Sequence, residues 1–271
     1  MTTHRSAAPA LALATLLTAG SLAAQPKRAR ATNAPPSADS LTAVSQRGRL
    51  LSEYDSVAWL GGGAIASLSL PPDGIRRLIA RKASGGWEVA AGSLSDSGDA
   101  YLMSYLSTPG IEDGPQWATT PFDPPREDTG YFARAARAIE TSVTMFKAAA
   151  QRPYIATVVP AADGPWWWVY LYPAPSRPGA WPRGGDVRFR VSADGRVITE
   201  SRHLHESISE YTPRTARSGG EVERENLGDT PEDTDVFHVV QRRPALPELM
   251  TAGRFRYRID VDGTIRLIGV R

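Results

Sequence analysis

Residues 166–172 read Trp-Trp-Trp-Val-Tyr-Leu-Tyr, seven consecutive large apolar or aromatic side chains. In a strand, neighbouring side chains point to opposite faces, so Trp166, Trp168, Tyr170 and Tyr172 share one face and Trp167, Val169 and Leu171 the other. A strand apolar on both faces needs cover on both, which places it in the middle of a sheet with layers packed above and below. The competing reading is an exposed aromatic face that stacks on sugar rings or grips an apolar ligand. Burial is the reading adopted.

The rest of the chain is punctuated to match. Short apolar runs at 75–82, 87–94 and 100–106 are separated by Ser84-Gly85-Gly86 and Asp96-Ser97-Gly98-Asp99. Runs at 154–159, 186–191 and 196–205 follow, the last two flanking Ser192-Ala193-Asp194-Gly195. Asp262-Gly263 divides 255–261 from 264–270, and Asp-Gly supplies the positive backbone angles of a tight hairpin. Two segments carry helical periodicity instead. Behind a cap at Ser37 or Asp39, Leu41, Val44, Leu50, Leu51, Tyr54 and Val57 recur up to Trp59, and Gly61-Gly62-Gly63 is expected to stop or bend that helix. From Asp128 to about Ala150, Phe132, Ala136, Ile139, Val143 and Phe146 fall on one face. A Pro-rich crossing at 109–125 joins the two regions, and 212–234 is expected to be a solvent-exposed excursion. The expected fold is α+β, with long helices packed on antiparallel β-sheet, an arrangement that resembles cystatin-like and NTF2-like architectures. The order is also what two related halves would give, 39–108 and 126–271, although no residue-level repeat marks them.

The N-terminal residues read as an export signal. Arg5 precedes an apolar stretch from about Ala7 to Leu22, closed by small residues at Ser21, Ala23 and Ala24. Pro9, Thr15, Thr18 and Gly20 interrupt that stretch, whereas a spanning helix needs ~20 strongly apolar residues. The expected organisation is a signal peptide over 1–24, a flexible leader over 25–38 and the α+β region over 39–271. Cleavage leaves no transmembrane segment, and the mature protein is expected in the periplasm or outside the cell. The chain has no cysteine, which excludes disulfides, thiolate metal sites and a cysteine nucleophile. Its formal net charge is only +2, and its arginine pairs (Arg28/Arg30, Arg76/Arg77, Arg242/Arg243) are scattered, so a nucleic-acid partner is not expected.

Four segments stand out together: 167–173, 184–195, Arg202-His203-Leu204-His205 and Thr234-Asp235-Val236-Phe237-His238. They resemble an uncharacterised family of exported bacterial proteins. The resemblance covers mainly the C-terminal half. It implies export and one fold, and it brings no activity.

For chemistry, the sequence lacks a nucleophile elbow, a Walker loop, a dinucleotide fingerprint, a His-Glu-x-x-His pair and an EF-hand loop. Carboxylate pairs such as Glu112/Asp113 and Glu232/Asp233 read as solvated loop charge. Three histidines remain beyond His4: His203, His205 and His238. On an extended segment His203 and His205 point the same way, and 236–242 is a strand candidate that could bring His238 beside them. Three imidazoles are the ligand set of an open zinc site, with Asp235 or Glu206 as fourth ligand or as an acceptor behind a ring. The opposing reading is hydrogen-bonded histidines and no metal. The function expected is therefore a non-enzymatic binding or envelope-associated protein with an unidentified ligand or partner and no cofactor. The alternative is a hydrolase or lyase that uses zinc or another transition metal at His203, His205 and His238.

Overall fold

The computed structural model describes residues 34–68, 76–110, 116–146, 152–211, 221–223, 230–243 and 245–271. The expected signal peptide, most of the leader, Glu112/Asp113 and most of the 212–234 excursion lie outside the described residues. Helix α1 (Ala38–Ala66) leads into β1 (Arg77–Ala83), β2 (Gly86–Leu94), β3 (Tyr101–Pro109) and β4 (Trp117–Asp128). Helix α2 (Tyr131–Met145) leads into β5 (Tyr154–Pro160), β6 (Trp166–Pro173), β7 (Trp181–Gly184), β8 (Val187–Ser192), β9 (Ile198–His203) and β10 (Ile208–Tyr211). Then come β11 (Glu221–Glu223), helix α3 (Asp233–Gln241), β12 (Glu248–Ala252), β13 (Phe255–Ile259) and β14 (Ile265–Val270).

Among the described residues the strands make four sheets, β1-β2-β3-β4, β5-β6-β8-β9, β11-β12-β13-β14 and the pair β7-β10. All pairings are antiparallel except β11 with β12. Long helices laid on one sheet, as in cystatin-like or NTF2-like architectures, do not describe this molecule. The described residues are mostly antiparallel sheet, and of the three helices among them only α1 is long. The region expected as a second related half carries more than the first: among the described residues α3 and the β11–β14 sheet have no counterpart in 39–108.

Three local features explain the difference. The Pro-rich crossing is largely strand β4, an edge strand, where a residue without an N–H costs no ladder bond on its open side. Segment 236–242, rich in β-branched residues, is helical because Asp233 and Asp235 occupy a first turn and the Asp235 side chain accepts from the Glu232 N–H at 2.8 Å. Gly61-Gly62-Gly63 does not end α1. A Cβ on Gly61 would sit 2.5 Å from Val89, so the missing side chain lets the helix lie against β2 while continuing to Ala66. The other expectations for α1 and β6 hold. Ser37 caps α1, its side chain accepting from Ser40 N at 3.2 Å.

Strand β6 has β5 on one side and β8 on the other, and its two faces serve two different cores. Trp167, Val169 and Leu171 pack with Phe132, Ala136 and Ile139 of α2 and with Tyr101 and Met103 of β3. Trp168, Tyr170 and Tyr172 pack with Leu51, Tyr54 and Val57 of α1 and with Phe237 of α3. Trp167 and Trp168 are both 6% exposed, so the aromatic run is core and not a stacking platform. A third core joins Leu41 and Val44 of α1 and Val236 and Val239 of α3 to Met250, Phe255, Tyr257 and Ile259. Helices α1 and α3 cross closely at Gly48, where a Cβ would lie 2.4 Å from the Asp233 carbonyl oxygen. No helix of the described residues is long and apolar enough to cross a membrane.

Candidate functional site

The first turn of α3 is the most charged interior region. Glu232, Asp233, Thr234 and Asp235 are between 0 and 1% exposed. Burying a carboxylate removes its hydration, and it persists only where cations and donors replace the lost water. Each of these acids receives that from distant elements. Arg47 of α1 grips Asp233 with Nε and Nη2, each 3.0 Å from Oδ1. Arg188 of β8 reaches Asp233 at 2.5 Å, and the Tyr170 hydroxyl of β6 donates to it at 2.9 Å. Arg202 of β9 meets Glu232 at 2.5 Å. Arg183 of β7 bridges Asp235 (2.8 Å) and Glu248 (2.5 Å), and Glu248 is also held by Arg242. The Arg188 guanidinium also lies 4.6 Å over the Trp168 ring, tying this junction to the aromatic face of β6.

The histidines join the same junction unequally. The chain turns at Gly184 and Gly185, both at positive φ, and this sets Asp186 just ahead of β8. The Leu204 N–H donates to the Asp186 carbonyl at 3.0 Å, so the segment after β9 stays beside it. His205 thereby meets Asp186 through Nδ1 at 2.8 Å. Its Nε2 lies 3.1 Å from Asp235 Oδ1, an ion contact whose angle falls short of a hydrogen bond. Burial alone would push the His205 pKa down, but Asp186 and Asp235 outweigh it and hold the ring protonated up to about 10. Burial also works against the charged form of Asp186, and His205 more than compensates, leaving its pKa below the usual value. His238, on α3, is 5% exposed. Burial first and then the Arg183 charge press its pKa down to about 3, against the pull of Asp186 and Asp235.

His205 and His238 therefore share one neighbourhood, with His205 charged and His238 neutral. His203 is not there. It ends β9 as an exposed residue, and the chain bends at Leu204, so His203 and His205 do not face the same way. The expected ligand set His203, His205 and His238 is not assembled. Asp235 lies beside the His205 ring as an ion contact, while Glu206 is exposed. A protonated imidazole with a carboxylate at each nitrogen has no lone pair for a metal. No group of three or more His, Cys, Asp or Glu among the described residues is placed to hold one.

Sequence reasoning missed most of the junction. Glu232 and Asp233 were expected in a solvated loop and are its centre. Arg47, Arg183 and Glu248 drew no notice, and Arg188 only as part of the 184–195 segment. One signal was present: four residues with three carboxylates directly ahead of Val236-Phe237 is a helix start with an acidic first turn. Comparison of the chain with protein-family models, with curated proteins and with solved structures finds no match.

Proposed function

We propose that this chain is an exported, envelope-associated binding protein, and that its histidines and buried carboxylates hold the fold together without doing chemistry. The observation that carries this is the engagement of His205 by a carboxylate at each ring nitrogen, which removes both its proton-accepting and its metal-binding capacity. The surrounding acids are matched by arginines from five elements or their ends, an arrangement that fixes α3 against α1 and the β5-β6-β8-β9 sheet. The export part of the reading rests on the sequence of residues 1–24 and on the family resemblance. Titration of the purified protein with zinc while following its melting temperature tests the non-catalytic part. Zinc is expected to leave the melting temperature unchanged, and His205→Gln to lower it with or without zinc. A zinc-dependent rise that disappears in His205→Gln would overturn the reading in favour of the metal-dependent hydrolase or lyase. Cell fractionation tests the location, with the chain expected in the periplasmic or envelope fraction.

A further inference from the structure

One acid packed against the core is treated differently from the rest. Asp186, Glu232, Asp233, Asp235 and Glu248 each meet an arginine or the charged His205. Asp55, in the middle of α1, meets hydroxyls and an amide instead. The Tyr172 hydroxyl of β6 donates to Asp55 Oδ1, and the same hydroxyl lies 2.7 Å from Thr157 Oγ1 of β5. Gln241, the last residue of α3, reaches Asp55 Oδ2 at 3.5 Å and also donates to the Ser56 hydroxyl (2.8 Å) and the Ser52 carbonyl (3.2 Å) of α1. Tyr172 and Thr157 are themselves buried, so the carboxyl is closed off from water on the sheet side. Charged side chains on the surrounding elements are engaged elsewhere. On α1, Glu53 pairs with Lys82 of β1 and Arg47 with Asp233. Arg152, ahead of β5, meets Glu210, and beyond α3 Arg242 meets Glu248 while Arg243 donates to the Val240 and Arg242 carbonyls. Among the described residues no cation meets Asp55.

We propose that Asp55 is a proton-operated latch: with a proton on its carboxyl α1 is clamped to the β5–β6 pair, and loss of that proton to solvent loosens the clamp. A neutral carboxyl needs only hydrogen bonds, which Tyr172 and Thr157 supply. A carboxylate needs a countercharge or water, and here water enters only if α1 moves. Burial accordingly pushes the Asp55 pKa above its ordinary value, and the two hydroxyls offset only part of that. Tyr172 stays a donor throughout, because burial and then the Asp55 charge raise its own pKa far above the ordinary range. A raised carboxyl contributes stability that is complete below its ordinary 3.8 and is lost as pH rises through its native pKa. The position of the latch gives it reach. Leu41 and Val44 of α1 belong to the third core, and Leu51, Tyr54 and Val57 to the second, so a loosened α1 loosens the seam between the two. The envelope-associated reading is not needed for this inference.

The test is urea unfolding of the full chain and of Asp55→Asn across about pH 4 to 8, with native-state hydrogen exchange of the α1 amides, each rate divided by its free-peptide rate at the same pH. The histidines are present in both proteins and cancel in the comparison. The unfolding constant of the wild type, divided by that of the variant, is expected to climb with pH by up to about tenfold per unit and then level off once the native carboxyl has titrated. Over the same range, exchange protection around residues 51–58 is expected to fall in the wild type more than protection of β6 and β8, and to hold steady in Asp55→Asn. Thr157→Val keeps the acid and removes one of its donors, and it is expected to carry the climb to higher pH. If Asp55→Asn does not fold, the comparison of Thr157→Val with the wild type decides, and an unshifted profile overturns the proposal. A ratio that is flat with pH overturns it as well, as does a climb in which α1 loses no more protection than the sheet. None of these outcomes bears on the zinc titration, so the two readings fail separately.

Discussion

The two faces of β6 and the first turn of α3 are shut off from water to the same degree, but opposite physics keeps them there. Trp167, Val169 and Leu171 are held by the apolar surface they withdraw from water, a non-directional gain that tolerates any neighbour of suitable shape. Asp233 is held by three named donors, Arg47, Arg188 and Tyr170, arriving from α1, β8 and β6. Remove one apolar partner and the face loses area. Remove Asp233 and the two arginines lose the charge that justified their burial. The lesson is that depth alone does not tell how a position fails.

Substitution at the two centres tests this most strongly. Trp167→Ala is expected to cost ~3–5 kcal/mol through lost burial and the cavity left behind. Asp233→Ala is expected to cost a similar ~3–5 kcal/mol, by stranding Arg188 and Arg47. The difference lies in rescue. Adding Arg188→Met to Asp233→Leu should recover part of the loss, because a buried ion pair replaced by apolar side chains is often tolerated. No second change of charge should help Trp167→Ala. Urea unfolding of the four proteins decides it, and a cost below ~1 kcal/mol for Asp233→Ala breaks the comparison.

A smaller effect is expected where the two regions are joined. Gly48→Ala puts a methyl group against the Asp233 carbonyl oxygen, which belongs to backbone and cannot swing away. The expected loss is ~1–3 kcal/mol, typical of overpacking. Thermal unfolding measures it, and an unchanged melting temperature means that α1 and α3 can separate freely.

The smallest effect per step is a dependence on pH that the apolar faces lack. His205, held at about 10, contributes stability that is complete below its ordinary 6.5 and is lost as pH rises from there toward 10. His238, held at about 3, contributes stability that is complete above 6.5 and is lost as pH falls toward 3. Each limb can slope by at most ~1.4 kcal/mol per pH unit. The unfolding free energy from these two groups is therefore expected to peak near the ordinary histidine value. His205→Gln should flatten the alkaline limb and His238→Gln the acid limb. Identical pH profiles in wild type and both variants would remove the histidines from the stability account.

What could be read from the sequence follows the same division. The aromatic run announced its own burial, because both of its faces are apolar within seven residues. The hairpin at Asp262-Gly263 and the cap at Ser37 were equally local signals. Asp233 gave no such notice, since Arg47 lies 186 positions away and Arg188 lies 45. In a single sequence, an arginine that balances a buried acid looks like any surface arginine. The same blindness misplaced the histidines: His205 and His238 meet because α3 packs beside the turn after β9, and nothing near either residue records that packing.

The pairing of β6 has one more consequence. It runs in unbroken register with β5 from Tyr154↔Pro173 to Pro160↔Trp167 and with β8 from Trp166↔Ser192 to Leu171↔Val187. A slip by one residue would exchange its faces, and both are large and greasy enough that hydrophobicity would barely object. The buried charges supply the objection. Only one alignment delivers the Tyr170 hydroxyl to Asp233 and the Tyr172 hydroxyl to Asp55. In the slipped alignment those acids would face Val169 and Leu171, which can donate nothing. The acids of α1 and α3 thus proofread the threading of a strand whose own side chains cannot tell its two sides apart.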